Sequence, residues 1–255
     1  MANYFGVNNQ DPSNISAGLS GIVTDNLRLF LDAGRLASYP KTGSTWLDLS
    51  VNSTNITLYK EGGSTYTSFS PGPPNFSVER TGEFVFDGVN DWGKFNSFST
   101  TSAFSFNAWI KFTGTNDMGL LSNCSGGPVG ESYGVYNGKM QYWYYTSSWQ
   151  SATGTTNVNT GNWVNITFTK SGTSMVMYIN GSQDATITLT GNVTSLLSCI
   201  CSKWGPCNSD SYGVGTDSYG SVFNGTVGIL MAYTKQLSST EVLRNYNNLR
   251  KRFGL

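Results

Sequence analysis

The chain has 255 residues, in which 15 Lys plus Arg balance 15 Asp plus Glu and histidine is absent. A formal charge of zero gives no broad hold on phosphate and argues against a nucleic-acid partner, and the missing histidine removes any Ser-His-Asp or Cys-His triad. Charged residues are only 12% of the chain, against roughly 25% in ordinary soluble domains, while a 14% aromatic content supplies a core and excludes disorder.

Residues 1–22 are polar and turn-rich, with Asp11-Pro12 among them. They lack the basic and apolar regions of a secretory leader, so the expectation is a protein made in a cytosol without export. This segment is expected either to close an edge of the fold or to serve as an arm docking on a neighbouring subunit or shell, with the main domain over residues 23–255. From Leu31 to Ser50 an apolar run breaks at Gly34, turns around Pro40 and Gly43, and buries Trp46 beside an Asp48-Leu49-Ser50 turn. Phe84-Val-Phe86 alternates as a strand and runs into Asp87-Gly-Val-Asn90-Asp91. Asp87, Asn90 and Asp91 carry hard oxygens that suit calcium; an Asx-rich turn is the plainer reading.

Phe104–Phe112 alternates for much of its length, as a half-buried strand does. Tyr133–Tyr136 and Lys139–Tyr145 flank Asn137-Gly138, a strong hairpin signal. The segment Gln141–Trp149 then places five aromatics in nine residues. Period two sets Trp143 and Tyr145 on one side of the strand and Tyr142 and Tyr144 on the other. One pair belongs to the core. The other, with Trp149, forms a platform for sugar rings or an interface hot spot, or adds further core.

Trp163–Thr169 and Met175–Ile179 are further strands, the second followed by another hairpin signal, Asn180-Gly181. Cys199, Cys201 and Cys207 cluster in one loop, with Cys124 far away in sequence. Zinc, a loop-stapling disulfide and plain thiols all remain open, although Cys-x-Cys-x5-Cys is no standard zinc spacing and Cys199 with Cys201 would strain a bridge. Val227–Tyr233 is the longest apolar run, far short of the ~20 residues that span a bilayer, so no membrane insertion is expected. A single helix is predicted over about 239–251. Ser238 and Glu241 form a capping box, Leu237 and Val242 a hydrophobic staple, and Val242, Tyr246 and Leu249 an apolar stripe. Arg250-Lys251-Arg252 reads as cations favoured by the helix C-terminus. Many short strands with glycine turns and no alternating helices make the fold all-β, a sandwich of two antiparallel sheets with one C-terminal helix.

Several of these segments together resemble one family. Leu31–Ser50, Phe84–Trp92, Phe106-Asn-Ala-Trp-Ile110, Trp163–Phe168, the Tyr178-Ile-Asn-Gly181 hairpin, Phe223–Gly228 and Arg252-Phe-Gly-Leu255 are similar to the laminin-G-like branch of the concanavalin A-like lectin/glucanase family. That branch recurs in virion proteins of tailed bacteriophages and in secreted bacterial proteins. The resemblance implies a jelly-roll sandwich. It also implies a non-enzymatic structural protein of a virion surface, either a capsid decoration or a tail or fibre module, assembled in the host cytoplasm. Expected partners are other virion proteins, further copies of this chain and a host-surface glycan; no cofactor is required, calcium apart. The alternative is a carbohydrate-binding lectin module of a secreted or cell-surface protein. A glycosidase would need two carboxylates across a sugar. The family's Glu-x-Asp-x-x-Glu triplet does not occur, and the nearest pair is Glu83 with Asp87. Where many members carry Gly-Asn-Gly-Asn, this chain reads Val51-Asn-Ser-Thr-Asn55, and the cysteine-bearing loop near 196–211 has no counterpart in the pattern.

Overall fold

A computed structural model describes residues 21–61, 69–79, 82–123, 130–202 and 222–255. In chain order the strands are β1 (Leu27–Asp32), β2 (Thr45–Trp46), β3 (Ile56–Glu61), β4 (Phe69–Pro71), β5 (Asn75–Ser77), β6 (Glu83–Asp87), β7 (Trp92–Ser99) and β8 (Ala103–Lys111). They continue with β9 (Met118–Ser122), β10 (Glu131–Tyr136), β11 (Lys139–Tyr145), β12 (Trp149–Asn157), β13 (Val164–Ser171) and β14 (Ser174–Ile179). The last are β15 (Ser182–Thr188), β16 (Leu196–Ile200) and β17 (Asn224–Tyr233), followed by helix α1 (Ser239–Leu249).

Two antiparallel sheets result, as the sequence predicts. Sheet A runs β15-β14-β13-β8-β17-β6-β5, with β1 also paired to β17; sheet B runs β12-β11-β10-β9-β16-β7-β3-β2, with β4 on β3. Alternation fixes what each strand buries. From β8, Phe104, Phe106, Ala108 and Ile110 enter the main core; Phe168 and Ile166 join them from β13, and Tyr133, Val135, Met140 and Tyr142 meet them from sheet B. Both Asn-Gly hairpins adopt the left-handed pair that fits strand twist: φ is 49° and 74° at Asn137 and Gly138, and 51° and 77° at Asn180 and Gly181.

The Leu31–Ser50 segment folds as its residues predict. Trp46 is fully buried and meets Phe84 edge-on with centroids 4.8 Å apart. Asp48 makes the turn: its carboxylate accepts the backbone N–H groups of Phe30, Ser50 and Thr54 at 2.8–2.9 Å. At the opposite flank of the sandwich Asp184 of β15 accepts from the N–H of Thr155 at 2.8 Å and of Thr156 at 3.1 Å, joining the edge strands of the two sheets. Burial opposes its ionisation, but these side-chain and backbone donors together hold its carboxyl below the usual range.

A second core fills the outer face of sheet A. Trp109, Trp163, Tyr178, Met231 and Tyr233 pack there against Val242 and Leu249 of α1 and against Phe253. The capping box is present: Ser238 Oγ accepts from Glu241 N while Glu241 reaches back to Ser238 N. Ile22 and Val23 are buried in this core. Val23 N donates to Asn245 Oδ1 at 2.8 Å, and Asn245 Nδ2 donates to the Tyr233 hydroxyl at 3.0 Å. The chain is helical to Leu249 and then tightens into a 3-10 turn, Arg250–Phe253, shorter than the helix predicted to about residue 251. Arg250, Lys251 and Arg252 lie in the last turn of this 3-10 helix. The Arg252 guanidinium also donates to the buried Asp32 carboxylate and to Gly82 O, while Arg35 Nε takes the other Asp32 oxygen at 2.9 Å. A charge-assisted pair with a buried carboxylate fixes that arginine more firmly than a helix end alone.

Candidate functional site

Cross-strand registers line up one row of residues over the outer face of sheet B: Thr57–Lys94–Cys199–Ser122–Ser132–Trp143–Ser151. Trp143 thus stands between Ser132, which is fully buried, and Ser151, which is exposed. Two residues along β11, Tyr145 faces Trp149 across the pair, their rings edge-on with centroids 5.3 Å apart. Trp149 is 42% exposed, and Trp143 and Tyr145 are half-buried. Of the five aromatics named from the sequence, these three share the outer face. The turn between Tyr145 and Trp149 is closed by Thr146 N donating to Ser148 O and by the Tyr145 hydroxyl donating to Ser147 O.

Tyr142 and Tyr144 do not belong to that platform. Both point into the sandwich and are 0% and 3% exposed. Their phenols find partners there, Tyr142 donating to Glu131 Oε1 at 2.9 Å and Tyr144 pairing with Thr190 Oγ1 at 3.2 Å. Buried phenols need such partners, and these supply the physical reason why this pair, and not Trp143 and Tyr145, is core.

Around Glu131 lies a polar cluster that sequence reasoning missed. Lys170 of β13, 1% exposed, forms an ion pair with Glu131 of β10 at zero exposure, so that one charge from each sheet meets inside the sandwich. Lys170 also donates to Val193 O. Tyr133 and Tyr142 both donate to Glu131. Burial first, then negative charge nearby, pushes both phenols well above their usual range. Neither phenol ionises in any working pH range, and both stay donors.

The turn after β6 is organised by its acids. Asp87 Oδ1 accepts from Val89 N at 2.8 Å and Asn90 N at 3.3 Å, and Asp91 Oδ2 accepts from Asp87 N at 3.2 Å. Among the described residues no group of three acidic, Cys or His side chains is arranged to hold a metal. Asp91 is fully buried and its Oδ1 has no hydrogen-bond partner. Burial, then the charge of Asp87, pushes its carboxyl up to about 6. The unfolded chain releases this proton near pH 3.9, so the group's stabilising contribution is full below about pH 4 and is lost as pH rises through about 6. Asp91→Asn keeps an acceptor for Asp87 N without the charge. It is expected to match the parent near pH 4 and to exceed it by about 1–2 kcal/mol at pH 7. Urea unfolding at the two pH values measures this, and added calcium is expected to leave both melts unmoved.

Glu83, the other acid of the candidate glycosidase pair, is buried 3.6 Å from Lys111. With Asp87 capping its turn, the pair is occupied structurally. Cys199 and Cys201 are both buried and are not bonded to each other. Cys199 lies on the outer face against Trp92, within 2.9 Å of Ser122 Oγ, whereas Cys201 turns into the main core at φ 56°. Burial, then the neighbouring Cys199, pushes the Cys201 thiol up, which makes it inert. Cys124 and Cys207 lie outside the described residues, as do residues 1–20 of the expected arm. Also on the outer face is a stacked pair that the sequence did not suggest, Tyr59 over Trp92 at 4.7 Å and 14°.

Solved structures share this architecture. Domain 4 of AbnA, an extracellular arabinanase from Geobacillus stearothermophilus solved with arabinotriose, is 15% identical with a TM-score of 0.60, over 88% of this chain and 100% of that one. A botulinum neurotoxin type C structure, whose cell entry depends on two ganglioside molecules, is 15% identical with a TM-score of 0.58, over 89% of this chain and 52% of that one. The binding domain of botulinum neurotoxin DC in complex with SialylT is 13% identical with a TM-score of 0.57, over 89% and 52% of the two chains. This chain therefore spans about half the length of the neurotoxin chains it matches. At such identities these likenesses speak for the fold alone. No curated protein matches the sequence. The Laminin_G_3 family model, described as concanavalin A-like lectin/glucanases superfamily, matches residues 87–243, from the end of β6 into α1. The two-sheet sandwich, its closing helix and this match together make the chain a member of that family, within the concanavalin A-like lectin/glucanases superfamily.

Proposed function

We propose that the protein is a non-enzymatic glycan-binding module, carried on the surface of a tailed-phage virion and serving there in adhesion. The observation that carries the glycan reading is the outer-face trio Trp143, Tyr145 and Trp149, held on paired strands of the sheet with exposed Ser147, Ser148 and Ser151 on the turn and β12 side. Aromatic faces offer stacking area to the C–H side of a sugar ring, and rigid strands keep that area ready at little entropic cost. The arabinotriose and ganglioside named for the similar structures agree with a sugar as ligand. The non-enzymatic reading rests on Glu83 and Asp87 being spent on Lys111 and on a turn. The virion setting rests on the family resemblance and on a surface low in charge.

Trp143→Ala and Trp149→Ala are each expected to weaken saturable binding on a glycan array by about tenfold or more, equivalent to about 1.4 kcal/mol of lost stacking, with an unchanged melting temperature. Unaltered glycan binding in both variants would move the site elsewhere. For the setting, mass spectrometry of purified particles is expected to find the protein in fixed ratio to the major coat protein. Its absence from particles would leave a lectin module of a secreted or cell-surface protein.

A further inference from the structure

We infer that Arg28 anchors a second ligand site, and that this site takes the carboxylate of an acidic sugar, a uronic or a sialic acid. The carboxylate part stands on the residues around Arg28, and the sugar part rests on the glycan-binding reading above. The aromatic trio on sheet B plays no part in it.

Arg28 occupies an irregular place in β1. Leu27 lies opposite Tyr233 and Leu29 opposite Ala232, so Arg28 is the extra residue of a β-bulge. Bulges re-aim a side chain, and here the guanidinium reaches the other sheet, 4.4 Å from the ring centroid of Phe98 on β7. The turn after Asp48 fixes it there. Ser50 Oγ donates to Arg28 O at 3.2 Å, and Asn52 Nδ2 donates to Leu27 O at 3.0 Å and to Arg28 O at 3.2 Å, so the turn holds the bulge by its carbonyls. Arg28 Nη1 donates to Thr54 Oγ1. These contacts come from Ser50 and from Val51–Asn55, the stretch in which the chain departs from the family pattern.

The guanidinium has no counter-ion. Arg35 and Arg252 share Asp32, whereas the acid that acts on Arg28 is Asp48. Both Asp48 oxygens are already spent, Oδ1 on Phe30 N and Ser50 N, and Oδ2 on Ser50 Oγ and Thr54 N. Burial outweighs the pull of Asp48 and lowers the pKa of the guanidinium. Among the described residues its other N–H groups have no hydrogen-bond partner, and none of these nitrogens is closed off from solvent. With Nη1 held by Thr54, Nε and Nη2 are left as two parallel donors on one edge, the fork that a carboxylate accepts bidentately. A phosphate dianion would call for a second cation, and among the described residues no other cation acts on Arg28. Asn52 and Ser53, exposed in the same turn, offer an amide oxygen and a hydroxyl to the rest of a sugar ring.

The test is calorimetry on the whole chain with glucuronic, galacturonic and N-acetylneuraminic acids, each beside its methyl ester, and with acetate and inorganic phosphate as sugar-free probes. At least one free acid is expected to bind about tenfold or more tighter than its ester, and to weaken between roughly 0.05 and 0.5 M NaCl as its ion pair is screened. Arg28→Met keeps a side chain on Phe98. It is expected to abolish the preference for the acid and to melt no lower than the parent, because a half-buried charge without a counter-ion is removed. Arg28→Lys should keep the salt dependence but lose affinity, since an ammonium offers no fork, and it carries the test if Arg28→Met fails to fold. Trp143→Ala should leave acid binding unchanged. Acid binding unaltered in the Arg28 variants, or esters as tight as acids, overturns the inference and leaves the glycan-binding reading standing. Binding of neutral glycans with no binding of any acid does the same. Acetate or phosphate as tight as the sugar acids overturns the sugar part. Failure with every acidic and neutral glycan overturns the inference and the glycan-binding reading together.

Discussion

Replacing Lys170 with methionine is expected to lower the stability of the domain by about 3–5 kcal/mol. Lys170 and Glu131 lie at 1% and 0% exposure between the two sheets. Without the ammonium, the Glu131 carboxylate is left in the core with only the two phenol donors of Tyr133 and Tyr142, and the deficit is a buried charge without a counter-ion. Small domains have about 5–15 kcal/mol in total, so this one change removes a large share. The double variant Lys170→Met with Glu131→Gln is expected to recover most of the loss. Glutamine keeps an acceptor for the phenols and carries no charge, whereas Glu131→Leu would strand both hydroxyls at about 1–3 kcal/mol each. Denaturant unfolding of the four proteins forms a cycle that isolates the pair. If Lys170→Met alone proves neutral, the two groups are already uncharged in the folded protein and the ion pair is not what holds the sheets together there.

What could be read from the sequence was local. Asn137-Gly138 and Asn180-Gly181 specify their hairpins because a two-residue turn with positive φ at both positions admits few other residues. Ser238 and Glu241 specify the helix start because the cap closes within four residues. Period two divided Tyr142 and Tyr144 from Trp143 and Tyr145, yet it is silent on which pair faces inward. That choice is made by Glu131, eleven residues from Tyr142 in sequence and on the neighbouring strand. Lys170 follows Ile166 and Phe168 at the inward positions of β13, one residue beyond the Trp163–Thr169 strand read from the sequence. A cation there reads as a strand end until its partner is known, and the partner lies 39 residues away on the other sheet. Asn245 was hidden in the same way, within a helical stripe whose polar member exists to meet Val23 N and Tyr233. Tyr59 and Trp92 are cross-strand partners by register, a relation that spacing along one segment cannot supply. Pairings between strands distant in sequence, within one sheet or across the two, escape a reading built on local period and turn chemistry, and the polar core is built from such pairings.

Phe253→Ala is expected to cost about 3–5 kcal/mol, comparable with the loss of Lys170, although the residue is third from the end of the chain. Its ring stacks on Trp109 at 4.3 Å and 12° and meets Trp163 at 4.6 Å and 53°. It also covers the backbone of β17 so closely that a Cβ on Gly228 would lie 2.6 Å from its ring. Removing it leaves two tryptophans facing a void that the sheet backbone cannot close. Arg252, next to it, anchors the same turn on buried Asp32, so the chain end is held by an ion pair and a stacked ring together. Phe253→Leu should retain part of the contact and lose about 1–2 kcal/mol. Gly228→Ala should destabilise in the parent, where the added methyl meets the ring, and cost less in Phe253→Ala, where the methyl enters the space the ring vacated; such coupling is the mark of direct contact. Thermal unfolding of the three single variants and the double measures all of this. A loss under about 1 kcal/mol for Phe253→Ala would mean that the 3-10 turn is a frayed end, and that α1 alone holds the second core on sheet A.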